Sequence, residues 1–176
     1  MKHEMSSAIN QMQMLYNPEE DRILFRVNTT DNKEFRFWVT RRYTFLLMKV
    51  LKEHLEADPD VSMQGSPDAK QAVKNFKQEK AIQESNFGQK FKDDPNELPM
   101  GDDIPLAFKL TYNMREDKLH LGIQPRTGQG INLVLDRQIN TSMVQLIMGA
   151  AQKADWKMGD LTEVAIRGQD DRRVVN

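Results

Sequence analysis

The sequence predicts an α+β fold made by internal duplication: two βββα units, each an antiparallel meander followed by a helix, joined by a polar, partly helical linker. Three observations predict it. A single offset of 96 residues carries Tyr16-Asn17 onto Tyr112-Asn113, Glu20-Asp21 onto Glu116-Asp117 and Arg41 onto Arg137. The same offset carries three runs of apolar alternation onto three others. Each set of three runs then gives way to apolar residues at helical spacing. Identities are sparse, five between Tyr16 and Leu51, so the hydrophobic pattern carries the argument.

The first unit is placed at residues 8–57. Its strands are marked by Met12, Met14 and Tyr16, by Ile23, Phe25 and Val27, and by Phe35, Phe37 and Val39. Pairing Val27 with Phe35 sets Phe25 opposite Phe37 and Ile23 opposite Val39, all on one face. A helix is expected from Arg42 to Ala57, with Tyr43, Leu47, Val50, Leu51 and Leu55 on its apolar side and Thr40 as N-cap. The second unit, residues 104–154, repeats each feature. Phe108, Leu110 and Tyr112 are followed by Leu119, Leu121 and Ile123, then Ile131, Leu133 and Leu135, and a helix from Gln138 to Ala154 with Asp136 as N-cap. Asp31-Asn32 in one unit and Gly128 to Gly130 in the other place turn residues at the same position.

The linker, residues 58–103, is polar. Ser66-Pro67-Asp68 is a helix start, and a helix near 67–85 follows with a thin stripe of Ala69, Ala72, Val73 and Phe76. Beyond it, Phe87 and Phe91 stand among charges, which suggests a docking arm for a partner groove. Residues 155–176 are a C-terminal strand candidate, Leu161 to Arg167, and a tail.

Composition limits the chemistry. Formal net charge is −1, so no global field draws nucleic acid or an acidic membrane. The absence of cysteine excludes disulfides, thiolate metal sites and cysteine nucleophiles, and suits a reducing cytoplasm. There is no run of membrane-span length. His3, His54 and His120 lack metal-ligand spacing and are expected at the surface, so neither a metal nor a cofactor is expected. Arg126-Thr127-Gly128-Gln129-Gly130 lacks the strand-then-helix setting of a phosphate loop. No pair of carboxylates sits in a recognisable cleft, and the chain is expected to be non-catalytic.

One surface stands out. The register that faces Val27 to Phe35 also sets Arg26 opposite Arg36 on the outward face of the first sheet, with Gln13 beside them and Leu15, Leu24 and Trp38 in the next row. Like charges facing each other on a sheet are destabilising by roughly 0.2–1 kcal/mol. With Arg41 and Arg42 at the sheet's end, the face offers cations around an indole, which suits single-stranded nucleic acid. The equivalent positions of the second unit do not repeat it. The expectation is therefore a binding module, for a protein partner through Phe87 and Phe91 or, alternatively, for single-stranded nucleic acid through Arg26, Arg36, Trp38, Arg41 and Arg42.

The stretch Asp21 to Arg42, DRILFRVNTTDNKEFRFWVTRR, resembles the core of a family of small bacterial proteins of unknown function, in which an arginine-bearing hairpin runs into W-[LV]-T-R-R and a helix. The likeness covers about an eighth of the chain and implies no activity. In topology alone, tandem sheet-then-helix repeats look like the Pur-alpha and Whirly class of single-stranded nucleic-acid binders. Those repeats carry four strands before the helix, whereas this chain has three.

Overall fold

The computed structural model describes residues 8–84, 90–93 and 97–158. Apolar alternation is realised as two separate three-stranded antiparallel sheets, each with its strands in sequence order. The first holds β1 (Ile9–Asn17), β2 (Arg22–Thr29) and β3 (Glu34–Val39), followed by helix α1 (Arg41–Glu56). The second holds β4 (Lys109–Arg115), β5 (Lys118–Gln124) and β6 (Ile131–Leu135), followed by α4 (Arg137–Lys153). Between them lie a short α2 (Pro59–Ser62) and the linker helix α3 (Pro67–Glu84). The βββα duplication is therefore present in three dimensions. Thr40 and Asp136 cap α1 and α4 as equivalents, each side chain accepting the N–H of the third helical residue.

The offset of 96 holds through most of each unit. Phe25 pairs with Phe37 as Leu121 pairs with Leu133. Asp21 and Asp117 both take positive φ just before the second strand, and Asn32 and Gly128 both take it in the second turn. The first strand is the exception. Met14 pairs with Phe25, whereas Leu121 takes Tyr112, the equivalent of Met14 displaced by two residues. The cause is the first hairpin. Pro18, Glu19, Glu20 and Asp21 connect β1 to β2, while Glu116 and Asp117 alone connect β4 to β5. A two-residue change preserves parity, so the inward face is unaffected. The gapless equivalence expected from sequence fails here, and Tyr16 and Tyr112 are not structural counterparts.

The units share one core, in which Phe25, Phe37, Leu47 and Leu51 are continuous with Leu119, Leu121, Met143 and Ile147. The helices reach across to the sheet of the other unit. α4 lies against β1 of the first unit, and α1 against β4 and β5 of the second. The Tyr43 hydroxyl donates to the Lys109 carbonyl at 3.1 Å. Trp156, just past α4, meets the Tyr16 ring edge-on at 5.9 Å.

The linker begins as expected, with Ser66 Oγ accepting the Ala69 N–H. Its rotation is not the expected one. Phe76 is 67% exposed, while Ala81 is buried and Val73 and Lys77 are half-buried. Lys77 explains this, because its ammonium is held by Asp58 and Asp60 and sets which side of α3 faces the body. No described helix is long and apolar enough to cross a membrane.

Candidate functional site

The outward face of the first sheet is covered by the chain itself. Residues 90–93 cross it: the Lys92 N–H donates to Gln11 Oε1 at 3.0 Å, and Gln11 Nε2 donates to the Lys90 carbonyl at 3.2 Å. Residues 97–107 then run parallel to β3 along its free edge. Glu34 N–H donates to Glu97 O, Trp38 N–H to Pro105 O and Ala107 N–H to Trp38 O, each at 2.9 Å. This backbone pairing satisfies donors and acceptors that an edge strand would otherwise leave open.

Two arginines of the expected cationic face, Arg26 and Arg36, have partners beneath or beside that cover. Arg26 Nε donates to Glu34 Oε1 at 2.8 Å, and its Nη1 donates to Gln13 Oε1 and to Asp93 Oδ1 at 3.0 and 2.9 Å. Burial works against the Arg26 charge, but the hydrogen bonds and negative charges of Glu34 and Asp93 outweigh it and hold its pKa above the usual arginine value. Phe91 packs on the other side of the guanidinium, with its ring centroid 4.3 Å away. Arg36 donates through Nη2 to the carbonyls of Gly101 and Asp102. These contacts explain why Arg26 and Arg36 can sit opposite each other.

The remaining expected residues are not gathered with them. Trp38 is half-buried and held by the edge pairing, and Arg41 lies over Phe45 on α1 rather than on the sheet. Arg42 is exposed at the start of the same helix. The docking-arm expectation for Phe91 is corrected: the ring is only 8% exposed and packs inside the molecule, because it has a desolvated cation to cover. Phe87, His3 and the strand candidate Leu161 to Arg167 lie outside the described residues.

No described segment crosses the same face of the second sheet. Its outward rows are Lys109 with Gln124, then Thr111, Gly122 and Asn132, then Asn113, His120 and Val134, and finally Arg115 with Lys118. Lys109, Thr111, Asn113, Arg115, Lys118 and Asn132 are exposed. Gly122 stands where the first sheet has Arg26, and Gly130 where it has Glu34. A Cβ at position 122 would run into Thr111 Oγ1 and approach Asn132 Oδ1, so the hydroxyl and the amide lean over the glycine. Around them is a shallow depression of about 250 Å³. The strand residues of this face carry three cations and no carboxylate, and among the described residues Lys109, Arg115 and Lys118 form no ion pair. The face can therefore offer positive charge and hydrogen-bond donors to a ligand laid across it.

A larger concavity, about 750 Å³, separates α3 from the ends of α1 and α4. Its charges are matched across it. Asp58 is buried and accepts from Lys77 Nζ at 2.5 Å and from the Asp60 N–H at 3.0 Å. Burial alone would push the Asp58 carboxyl up, but the hydrogen bonds from Lys77 and the Asp60 N–H, with Lys77 and Arg137 charge nearby, hold it below the usual value. Asp117 is likewise lowered, chiefly by its hydrogen bond from Arg137 at 3.2 Å. Under this network lies a buried polar pair, Asn140 and His54, of which the sequence placed His54 at the surface. His54 is 1% exposed, with Nε2 at 2.8 Å from the Asp117 carbonyl and Nδ1 at 2.8 Å from Asn140 Nδ2. Asn140 Nδ2 also donates to Leu51 O at 3.0 Å. A carbonyl at one nitrogen and an amide donor at the other require the tautomer protonated at Nε2. The signal was available, since His54 falls three residues after Leu51 and seven after Leu47, on the buried stripe of α1.

Among the described residues, no group of three His, Asp or Glu is placed to hold a metal ion. Comparison of the chain with protein-family models, curated proteins and solved structures finds no match.

Proposed function

We propose that this chain is a non-catalytic binding module whose partner is another protein, received on the outward face of the second sheet. One observation carries the reading: of two equivalent faces, the first is crossed by the chain's own linker and the second is left open by the described residues, with its cations unpaired among them. A sheet surface with one polar, depressed row and charged ends fits the rim-and-centre anatomy of a transient protein interface. Single-stranded nucleic acid ranks second. Arg26 and Arg36 hold carboxylates and carbonyls of this chain, and the outward strand residues of the open face include no Phe, Tyr or Trp on which bases would stack, His120 being their one aromatic ring.

The test is site-specific cross-linking in cells, with a photoreactive residue at Val134 on the open face and, as comparison, at Arg36 under the linker. A discrete protein adduct from Val134 and none from Arg36 is the expected result. Equal labelling from both positions, or none from either, removes the second sheet as the site.

A further inference from the structure

We infer the chemistry of what the second sheet receives: an extended, acidic polypeptide segment that carries one aromatic side chain. The inference rests on the protein-binding reading above and deepens it. Its first support is internal. On the first sheet the equivalent face already holds an extended segment with one aromatic ring and one carboxylate, residues 90–93, Lys-Phe-Lys-Asp; the acidity inferred for the second rests on the cations of that sheet, unpaired among the described residues. There the Lys92 backbone N–H docks on Gln11, the Phe91 ring covers the centre of the face and the Asp93 carboxylate meets the cation Arg26. The duplication carries the pairing of β2 with β3 to β5 with β6, while the side chains that hold residues 90–93 are replaced.

The differences between the two faces are those expected if the segment comes from another molecule. Arg26 fills the centre of the first face, whereas on the second Thr111 and Asn132 lean over Gly122 and line a shallow depression with Asn113, His120 and Val134. A depression of about 250 Å³ is smaller than the roughly 300–1,000 Å³ of small-molecule pockets, and it suits a single side chain. Thr111 and Asn132 border it with a hydroxyl and an amide, which can bond the backbone of an incoming chain. The compensating carboxylates are also missing. Glu34 and Asp93 neutralise the first face, but Gly130 replaces Glu34, and Lys109 at one end of the second face and Arg115 with Lys118 at the other have no acidic partners among the described residues. A segment that supplies the negative charge and the ring would complete on the second sheet what residues 90–93 complete on the first.

The test uses the full chain and three probes: the peptide acetyl-Asp-Glu-Phe-Asp-Asp-Ala-amide, the same peptide with lysine at every acidic position, and a short oligothymidylate. Binding is followed through the backbone amide signals of the ¹⁵N-labelled protein. The expected result is that the acidic peptide moves the signals of Thr111, Gly122 and Asn132 while the lysine peptide does not. Combining Lys118→Glu with Arg115→Glu weakens the acidic peptide by about tenfold or more. Lys70→Glu, on the exposed side of α3, leaves its affinity unchanged. The inference is overturned if both peptides bind alike, if the oligothymidylate displaces the acidic peptide, if the shifted signals lie elsewhere, or if the protein associates with itself through this face. It is also overturned if the acidic peptide is silent. In that event a protein adduct from Val134 would leave the binding reading standing and remove only the segment chemistry, whereas no adduct would remove both.

Discussion

At the scale of single residues, the buried polar groups are the parts of this protein most sensitive to substitution. Asn140 Nδ2 satisfies His54 Nδ1 in the core, where a lone unsatisfied group costs about 1–3 kcal/mol. Asn140→Leu removes the donor to His54 Nδ1 and should lower the melting temperature by roughly 2–12 °C. Combining it with His54→Leu should recover part of that loss, because the buried Nδ1 that lost its donor is then gone as well. If the double variant is as unstable as the sum of the singles, the hydrogen bond is not the reason for the pair. Asp58 makes a prediction about pH. Its folded pKa lies below the ordinary aspartate value of 3.8, so the unfolded chain binds the proton first as pH falls. The stability contributed by Asp58 and Asp117 is therefore complete above that value and is lost as pH drops through the lowered folded values. Urea midpoints measured from about pH 6 down to about pH 3 should decline, and Asp58→Asn should reduce the decline while lowering stability at neutral pH by about 1–3 kcal/mol. A wild-type slope retained in Asp58→Asn would place the proton uptake elsewhere.

The secondary-structure elements show what kind of information the sequence held. Strand parity, the cap residues and the start of α3 were readable, because each depends on neighbours a few residues apart. The two-residue displacement of β4 was not, since alternation looks the same after a shift of two. The first hairpin, longer by Pro18 and Glu19, was the trace it left. The cover on the first sheet was hidden for a different reason. Arg26 and Asp93 are 67 residues apart, and no periodicity links them. A facing pair of arginines could be recognised as needing something, but not whether the need was met from inside or outside the chain. Phe91 tests how the cover is held. It is buried against a guanidinium while its neighbours bond through single groups, so Phe91→Ala should release residues 90–93 locally rather than unfold the protein. The Lys92 amide should exchange roughly tenfold faster or more, with exchange in α1 and α4 unchanged. Uniform acceleration across the core would show instead that the segment is part of the global folding unit.

For the whole molecule, the main consequence of the duplication is that neither copy is complete. Units of about 50 residues fall near the size at which a single core stops being sufficient. Here the shortfall is met by exchange: α4 packs on β1, α1 packs on β4 and β5, and His54 of one unit accepts Asn140 of the other while reaching the Asp117 turn. Cutting between the units therefore exposes apolar surface on both pieces, including the Leu47, Leu51, Met143 and Ile147 side chains that are at most 1% exposed in the intact chain. Residues 8–57 and 104–158, prepared separately, should each lack a cooperative thermal transition by circular dichroism. Mixed at equal concentration, they should regain near-ultraviolet signal from Trp38 and Trp156, because the shared core forms only when both are present. Independent, cooperative folding of either piece would mean that the packing between units is an association of two finished domains. The open face of the second sheet would then be expected to work without the first unit, a result that the shared core argues against.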